Sequence, residues 1–403
     1  MNRRDFWKQA AAGVAASTLV SGETLASPLS AFSSSVLSSS VLSSSAFASS
    51  ALASSALSAL PAARLKLSFQ PYTLELKHPF GVAVNTRTTT PVVLTTVEYG
   101  KFKGYGEASM PPYLGETQQS VMKFLLRVDL SKFENPLELE TILSAVDAIE
   151  PGNTAAKASV DIALHDLAGK IMGQPLYNIW GFDRSKTPNT VYTIGIDTPE
   201  MVRKKTQEVD PQFKLLKVKL GRENDKEIIE AVRSASDKPL VTDANQGWKD
   251  KEFALDMIHF LAEKGAILIE QPLPKEMVDE HAWITERSPI PVIADESVKR
   301  LPELIAAKGA YHGVNLKLMK TTGLREAHRM IAVARALGMK VMVGCMTETS
   351  CGITAASHLT PMADWADLDG ALLIKNDAFA GLSFTDGKIM IPNKPGIGVE
   401  PKK

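Results

Sequence analysis

Cysteine is almost missing from this chain. Cys345 and Cys351 are the only two among 403 residues, so no disulfide framework organises the fold. Both lie in one apolar stretch and read as buried free thiols, with a bridge open to them only in an oxidising compartment. Net charge is missing too: 45 basic residues balance 45 acidic ones, which removes the field that would draw nucleic acid or anionic lipid. A glycine-rich phosphate loop is also lacking. The segment where one would fall, Gly195-Ile196-Asp197-Thr198-Pro199, has the wrong residues and counts against an open dinucleotide-binding sheet.

The N-terminus is not globular sequence. Asn2-Arg3-Arg4-Asp5-Phe6-Trp7-Lys8 precedes an apolar run from Ala10 to Val20, too short to span a bilayer comfortably. Paired arginines before such a run read as an export signal of the twin-arginine type over residues 1–26. The expected partner is the twin-arginine export machinery and the expected location the periplasm. Residues 27–63 are almost all Ser, Ala, Leu and Val, a composition that cannot bury a specific core, so they read as a disordered linker. Cleavage after Ala26, Ala48 or Ala53 is equally compatible with the small residues there.

About 340 residues remain, enough for one large domain and a smaller one. Over 64–185 strand patterns come first (Leu65, Leu67 and Phe69; Tyr72, Leu74 and Leu76; Val92–Val97), with turns expected at Gly100 and Gly104-Tyr105-Gly106. Helical periodicity follows over 117–149 and 154–172, which makes an α+β module. From Thr190 short apolar runs alternate with helical patterns: 191–196, 215–220, 239–243, 266–270, 291–295, 313–317, 340–344 and 365–369. Eight such runs predict a parallel sheet buried on both faces, closed as a (β/α) barrel over 186–378 with a short final repeat. A doubly wound open sheet is the competing architecture. Residues 379–403 read as β again and are expected to return to the small domain.

The chemistry sits at the ends of five consecutive runs. Lys219, Asp243, Glu270, Asp295 and Lys317 recur at intervals of roughly 25 residues, the length of one strand–helix repeat. In such a barrel catalytic groups occupy the carboxyl ends of strands. Three carboxylates around one point, with no histidine or cysteine at those ends, suit a hard divalent ion, here Mg²⁺, one per subunit. The lysines should face each other across the mouth, with a pKa lowered by the nearby cation. Lys217, on the same strand face as Lys219, adds a like charge that a substrate carboxylate would satisfy. The implied reaction removes a proton α to that carboxylate and returns it on the opposite face. Taken singly, a strand-end Asp is more often a helix cap and a Lys-x-Lys strand a solvated face; the conjunction of five favours chemistry.

Lys217-Val218-Lys219, Asp243-Ala244-Asn245-Gln246-Gly247-Trp248, Ile269-Glu270-Gln271-Pro272, Ala294-Asp295-Glu296-Ser297 and Asn315-Leu316-Lys317-Leu318-Met319-Lys320 resemble the strand-end motifs of the enolase superfamily, in its muconate-lactonizing-enzyme branch. The resemblance runs from about Leu65 to Val399. It implies a barrel of the modified TIM type, a capping domain built from both chain ends, Mg²⁺ on Asp243, Glu270 and Asp295, and Lys219 with Lys317 as the two acid/bases. Asp367-Leu368-Asp369 resembles the Asp-x-Asp of that branch's dipeptide epimerases, and two carboxylates on one face suit the free ammonium of a dipeptide. The seventh-strand segment around Thr347 is similar to that group as well. A small-molecule dipeptide substrate and a homo-oligomer are expected.

In L-Ala-D/L-Glu epimerases an arginine of the loop after the first strand can bind the glutamate side chain. Here Asn85 falls at that place, with Arg87 two residues on; an inward Arg87 would keep the preference for glutamate. Cycloisomerisation, o-succinylbenzoate synthesis and N-acylamino-acid racemisation are the rival reactions, and their substrates give Asp367 and Asp369 no ammonium to bind. A noncatalytic exported peptide-binding protein would not need both lysines.

Overall fold

The structure is a computed structural model that describes residues 63–83 and 86–402. The export signal, all of the linker but residue 63, and Asn85 lie outside the described residues. A three-stranded antiparallel sheet opens the fold: β1 (Lys66–Gly81), β2 (Thr86–Tyr99) and β3 (Phe102–Ser109). Helices α1 (Gln118–Leu125), α2 (Leu139–Asp147), α3 (Thr154–Met172) and α4 (Leu176–Ile179) follow. Only α3 is long, and it is buried from Ala155 to Gly169.

One expectation is overturned here. Gly104 and Gly106 make no turn; they lie inside β3. A Cβ on Gly104 would stand 2.0 Å from Ala163 O, and one on Gly106 1.9 Å from Ser159 O. These residues lack side chains because α3 crosses the strand backbone to backbone. The helical reading of 117–149 was also too generous, since the chain between Leu125 and Leu139 is not helical.

The second half is a parallel sheet of eight strands, in chain order β4 (Val191–Ile194), β5 (Leu215–Lys219), β6 (Leu240–Asp243), β7 (Ala266–Glu270), β8 (Val292–Ala294), β9 (Gly313–Lys317), β10 (Lys340–Gly344) and β11 (Trp365–Asp367). A bridge between Thr190 and Ala366 brings the first strand against the last and closes the barrel. Helices α5 (Pro199–Gln207), α6 (Asp225–Arg233), α7 (Lys251–Glu263), α8 (Val278–Arg287), α9 (Leu301–Ala306), α10 (Leu324–Ala336) and α11 (Ser350–Ser357) lie between successive strands, and after β11 only a 3₁₀ turn (Gly370–Leu373) remains. Val191, Val241, Leu268, Ile293 and Met342 fill the barrel as a separate core. That packed layer is a dry floor, and the strand-end residues stand above it.

The chain then passes through β12 (Phe379–Ala380), β13 (Ser383–Thr385), β14 (Lys388–Met390) and β15 (Glu400–Pro401). It touches the first sheet on the way. Lys375 N donates to Glu75 O at 2.8 Å, the Tyr72 hydroxyl donates to Asn376 O at 2.7 Å, and the Tyr105 and Phe379 rings stand 5.5 Å apart.

Candidate active site

Strand register builds the mouth. Lys219 is level with Asp243, and Asp243 with Glu270; on the far side Gly344 is level with both Lys317 and Asp367. Lys219 on β5 and Lys317 on β9 stand four strands apart in a ring of eight, so they face each other, and both line one cavity. Asp295, Asp367, Asp369, Arg87 and Thr347 line that cavity too. Asp295 sits one residue past β8. Asp369 sits two past β11, at the head of the 3₁₀ turn rather than on the strand, where Thr193 N donates to its Oδ2 at 2.6 Å.

Ammonium groups and carboxylates interleave around the rim. Lys219 Nζ donates to Asp243 Oδ2 at 2.6 Å. Lys217 Nζ donates to Glu270 at 2.7 Å and to Asp367 at 2.6 Å, and lies 3.2 Å from Asp243. Lys317 Nζ donates to Asp295 Oδ2 at 2.7 Å. Lys320, fully buried, donates to the other Asp295 oxygen at 2.5 Å and to Asn315 O at 2.9 Å, while the Asn315 amide donates to Glu270 at 2.7 Å. Glu296, buried beside Asp295, receives a bond from Asn245 at 3.4 Å.

The backbone leaves β6 and β7 through strained turns. Asn245, Gln246 and Gln271 all have positive φ, at 42°, 65° and 38°, conformations that non-glycine residues adopt at a cost and that cluster at functional sites. The Gln271 turn has an identifiable use: its Oε1 accepts from Asp295 N at 3.0 Å and Ser297 N at 3.2 Å. Gln271, next to Glu270 in the chain, thereby fixes the loop that presents Asp295.

The electrostatics show what this arrangement can hold. Six carboxylates (Asp243, Glu270, Asp295, Glu296, Asp367, Asp369) face four ammonium groups (Lys217, Lys219, Lys317, Lys320), and all ten side chains are buried. With all ten ionised, two negative charges would be left over. Burial, with Asp243 and Asp295 adding, pushes Glu270 up to about 7. Burial with Asp295, Asp243 and Glu270 raises Glu296 to about 8, and burial with Asp367 raises Asp369 to about 7. In Asp295 burial is outweighed by Lys317 and Lys320, which hold it well below the usual carboxylate range; in Asp243 burial is likewise outweighed by Lys219 and Lys217, which lower it. Glu296 Oε2 and Asn245 Oδ1 are buried without a partner among the described residues. Carboxylates whose ionisation is opposed by burial and by one another, three oxygen-donor residues on adjacent strand ends and orphaned oxygens beside them fit a hard divalent cation.

At two of the lysines the neighbouring carboxylates act against burial. Burial pulls the Lys317 ammonium down, but Asp295, Tyr113 and Glu270 outweigh it, so the protein's own groups raise its pKa. Lys217 is raised in the same way by Asp367, Glu270 and Asp243 against its burial. Lys320 goes the other way: burial and the Lys317 ammonium lower it against Asp295 and Glu296.

Several residues escaped sequence reasoning. Cys345 is half-buried and lines the cavity, its Sγ within 4.8 Å of carboxylate oxygens of Asp367 and Asp369; Cys351 is buried, and both thiols are free. Glu296 and Lys320 stood inside quoted motifs without a role. Tyr113 enters from the capping sheet on a 3₁₀ turn (Pro112–Leu114), and only the Pro111-Pro112 pair before it hinted at a fixed turn.

Arg87 does reach inward. Its Nη2 donates to Thr347 Oγ1 at 2.9 Å, and its guanidinium lies 5.6 Å from the centre of the Phe80 ring. Among the described residues no carboxylate pairs with it, its Nε is buried without a partner, and burial lowers its pKa.

Residues 200–403 match the family described as enolase C-terminal domain-like, and residues 68–181 match the mandelate racemase / muconate lactonizing enzyme N-terminal domain. An L-Ala-D/L-Glu epimerase of Bacteroides thetaiotaomicron is 53% identical over 403 residues, 99% of each chain. The L-Ala-D/L-Glu epimerase of Escherichia coli is 37% identical over 78% of this chain and 96% of its own. Among solved structures, the substrate-liganded L-Ala-D/L-Glu epimerase of Bacillus subtilis superposes with a TM-score of 0.79 at 30% identity, over 83% of this chain and 98% of that one. A dipeptide epimerase of Enterococcus faecalis complexed with Mg and L-Leu-L-Tyr gives 0.78 at 30% identity, over 83% and 99%. The chain belongs to the mandelate racemase / muconate lactonizing enzyme family of the enolase superfamily.

Proposed function

We propose that this protein is an isomerase that epimerises dipeptides at the α-carbon of the C-terminal residue, with L-Ala-D/L-Glu and related dipeptides as substrates. One observation carries the reading: Lys219 and Lys317 face each other across a cavity whose wall holds the paired carboxylates of Asp367 and Asp369. Opposed bases serve inversion, and paired carboxylates serve a free N-terminal ammonium. The similarity to epimerases of the same reaction class supports it.

Asp243, Glu270 and Asp295 would hold Mg²⁺, which when bound supplies positive charge for the substrate carboxylate and for the anion that develops from it. The remaining work falls to side chains. Asp367 and Asp369 anchor the ammonium and so place the α-carbon between the lysines. A neutral Lys219 amine takes the α-proton from one face, the C–H electron pair moves into the carboxylate to give an enediolate, and the Lys317 ammonium returns a proton to the other face. The reverse direction exchanges their roles. Lys217, beside Glu270 and Asp367, adds fixed positive charge next to the enediolate. N-acylated substrates would bring no ammonium to Asp367 and Asp369, of which Asp367 alone has a lysine partner among the described residues, Lys217, and this disfavours the N-acylamino-acid racemase reading.

Arg87 supports an acidic C-terminal residue: it is a cation at the cavity wall whose buried Nε–H has no partner among the described residues. Export by the twin-arginine route would place the enzyme where peptides from cell-wall turnover are released. A homo-oligomer is part of the same proposal. The test is a panel of L,L- and L,D-dipeptides with Mg²⁺ in deuterated water, followed by NMR. Loss of the C-terminal α-proton with appearance of the second diastereomer is expected, and silence across the whole panel would refute the assignment.

A further inference from the structure

Two segments of the capping sheet reach the mouth, and consecutive residues of the loop after β10 fasten them. Thr347 holds Arg87, as described. Met346 holds Tyr113, whose hydroxyl donates to Met346 Sδ at 3.2 Å. A thioether is a weak acceptor, so this O–H is held in place while most of its hydrogen-bonding capacity stays unspent. The turn carrying it is stiff. Pro111 and Pro112 precede Tyr113, and Ser109, at the end of β3, is tied to the barrel through Oγ to Thr347 O at 2.7 Å and through its N to Met319 Sδ at 3.3 Å.

Tyr113 as a residue is 37% exposed, but its hydroxyl end points inward and lines the cavity with Arg87 and Lys317. Burial holds the phenol well above its ordinary pKa; Lys317 opposes that, and Asp295, Glu296 and Glu270 add to it. The group is therefore a neutral donor at physiological pH. Ionised, Tyr113 would raise Arg87, so the phenol stands near both the base and the guanidinium.

We propose that Tyr113 is a specificity-determining residue that works with Arg87, exchanging its bond to Met346 sulfur for one to the side-chain carboxylate of the substrate's C-terminal residue. The proposal rests on the dipeptide-epimerase reading and deepens it by adding a donor from a second segment of the cap. A side chain leaving the α-carbon near Lys317 and ending at Arg87 passes the phenol. There a carboxylate oxygen is a far stronger acceptor than a thioether, whereas an apolar side chain of similar length gives the O–H nothing to exchange for.

The test compares wild type with Y113F on L-Ala-L-Glu and L-Ala-L-Met, measuring kcat and KM by α-proton exchange with saturating Mg²⁺. The KM preference for the glutamyl over the methionyl dipeptide should fall roughly tenfold in Y113F, the loss expected of one charge-assisted hydrogen bond. Because the preference is a ratio within one preparation, partial misfolding does not imitate it. An unchanged preference, whether KM rises equally for both or only kcat falls, would overturn the role of Tyr113 while leaving the epimerase reading intact. Absence of exchange on both dipeptides in wild type would overturn both.

Discussion

Lys217 Nζ lies 2.6 Å from Asp367 Oδ2, although 150 residues separate them in sequence and β4 runs between their strands. The same ammonium is 2.7 Å from Glu270. One lysine therefore touches a carboxylate assigned to the metal and another assigned to the substrate's ammonium, and the two halves of the site share its charge.

Changing Asp367 should consequently disturb both halves. Asp367→Asn keeps the shape but removes a charge from Lys217 and from the substrate's ammonium. KM for free dipeptides is expected to rise about 10- to 100-fold, the effect of losing a buried charged hydrogen bond, and calorimetry should show altered Mg²⁺ affinity in the absence of substrate. Unaltered metal affinity would mean that the shared contact has no energetic weight.

The two-base scheme predicts an asymmetry. Lys219→Ala and Lys317→Ala should each lower epimerisation by at least about 10³-fold. In deuterated water each variant should still wash out the α-proton of one diastereomer, a different one for each. Exchange from the same diastereomer in both would break the scheme.

Arg87→Gln removes the guanidinium but keeps a donor. Against a glutamyl dipeptide KM should rise by roughly 10- to 100-fold, with a much smaller change against a methionyl one. Equal losses on the two would reassign Arg87 to packing against Phe80.

Buried histidine gives a pH signature remote from the site. Burial lowers His358 to about 4, against a weaker opposing bond to Ile397 O. Tyr177 N donates to its Nδ1 at 3.1 Å, so that nitrogen must stay unprotonated. A folded pKa below the unfolded 6.5 means that the unfolded chain takes the proton first, so this residue's stabilisation is lost as pH falls from 6.5 towards 4, up to about 3 kcal/mol. Urea midpoints of wild type relative to His358→Asn should fall over that window; parallel curves would contradict the assignment.

The export proposal has its own check. Arg3→Lys with Arg4→Lys should retain the protein in the cytoplasm, read by cell fractionation; unchanged export would exclude the twin-arginine route.

Much of the barrel was legible because a strand buried on both faces is a short apolar run, a rule that operated eight times, and at six of those runs a charge at or just past the end marks the mouth. The observed strands 266–270, 313–317 and 340–344 coincide with the expected ones. Residue type suggested the roles proposed for Lys219, Asp243, Glu270, Asp295 and Lys317. Contacts between distant repeats were not legible. Nothing local to Lys217 points to Asp367, nothing local to Lys320 points to Asp295 behind it, and Cys345 resembles any apolar strand-end residue until β11 lies beside it. Gly104 and Gly106 misled for a related reason, since their lack of a side chain answers a helix that begins some fifty residues later.

Those two glycines have a consequence for how the enzyme can diversify. Where β3 meets α3 no side chains intervene, so there is no cushion that substitutions could thicken or thin. The spacing of the capping sheet from α3 is set at these two positions by main chain. Arg87 at the head of β2 and Tyr113 just beyond β3 are carried on that fixed plate. Exchanging either tip should retune which side chain the mouth accepts without moving the plate, so substrate range and cap placement can change independently.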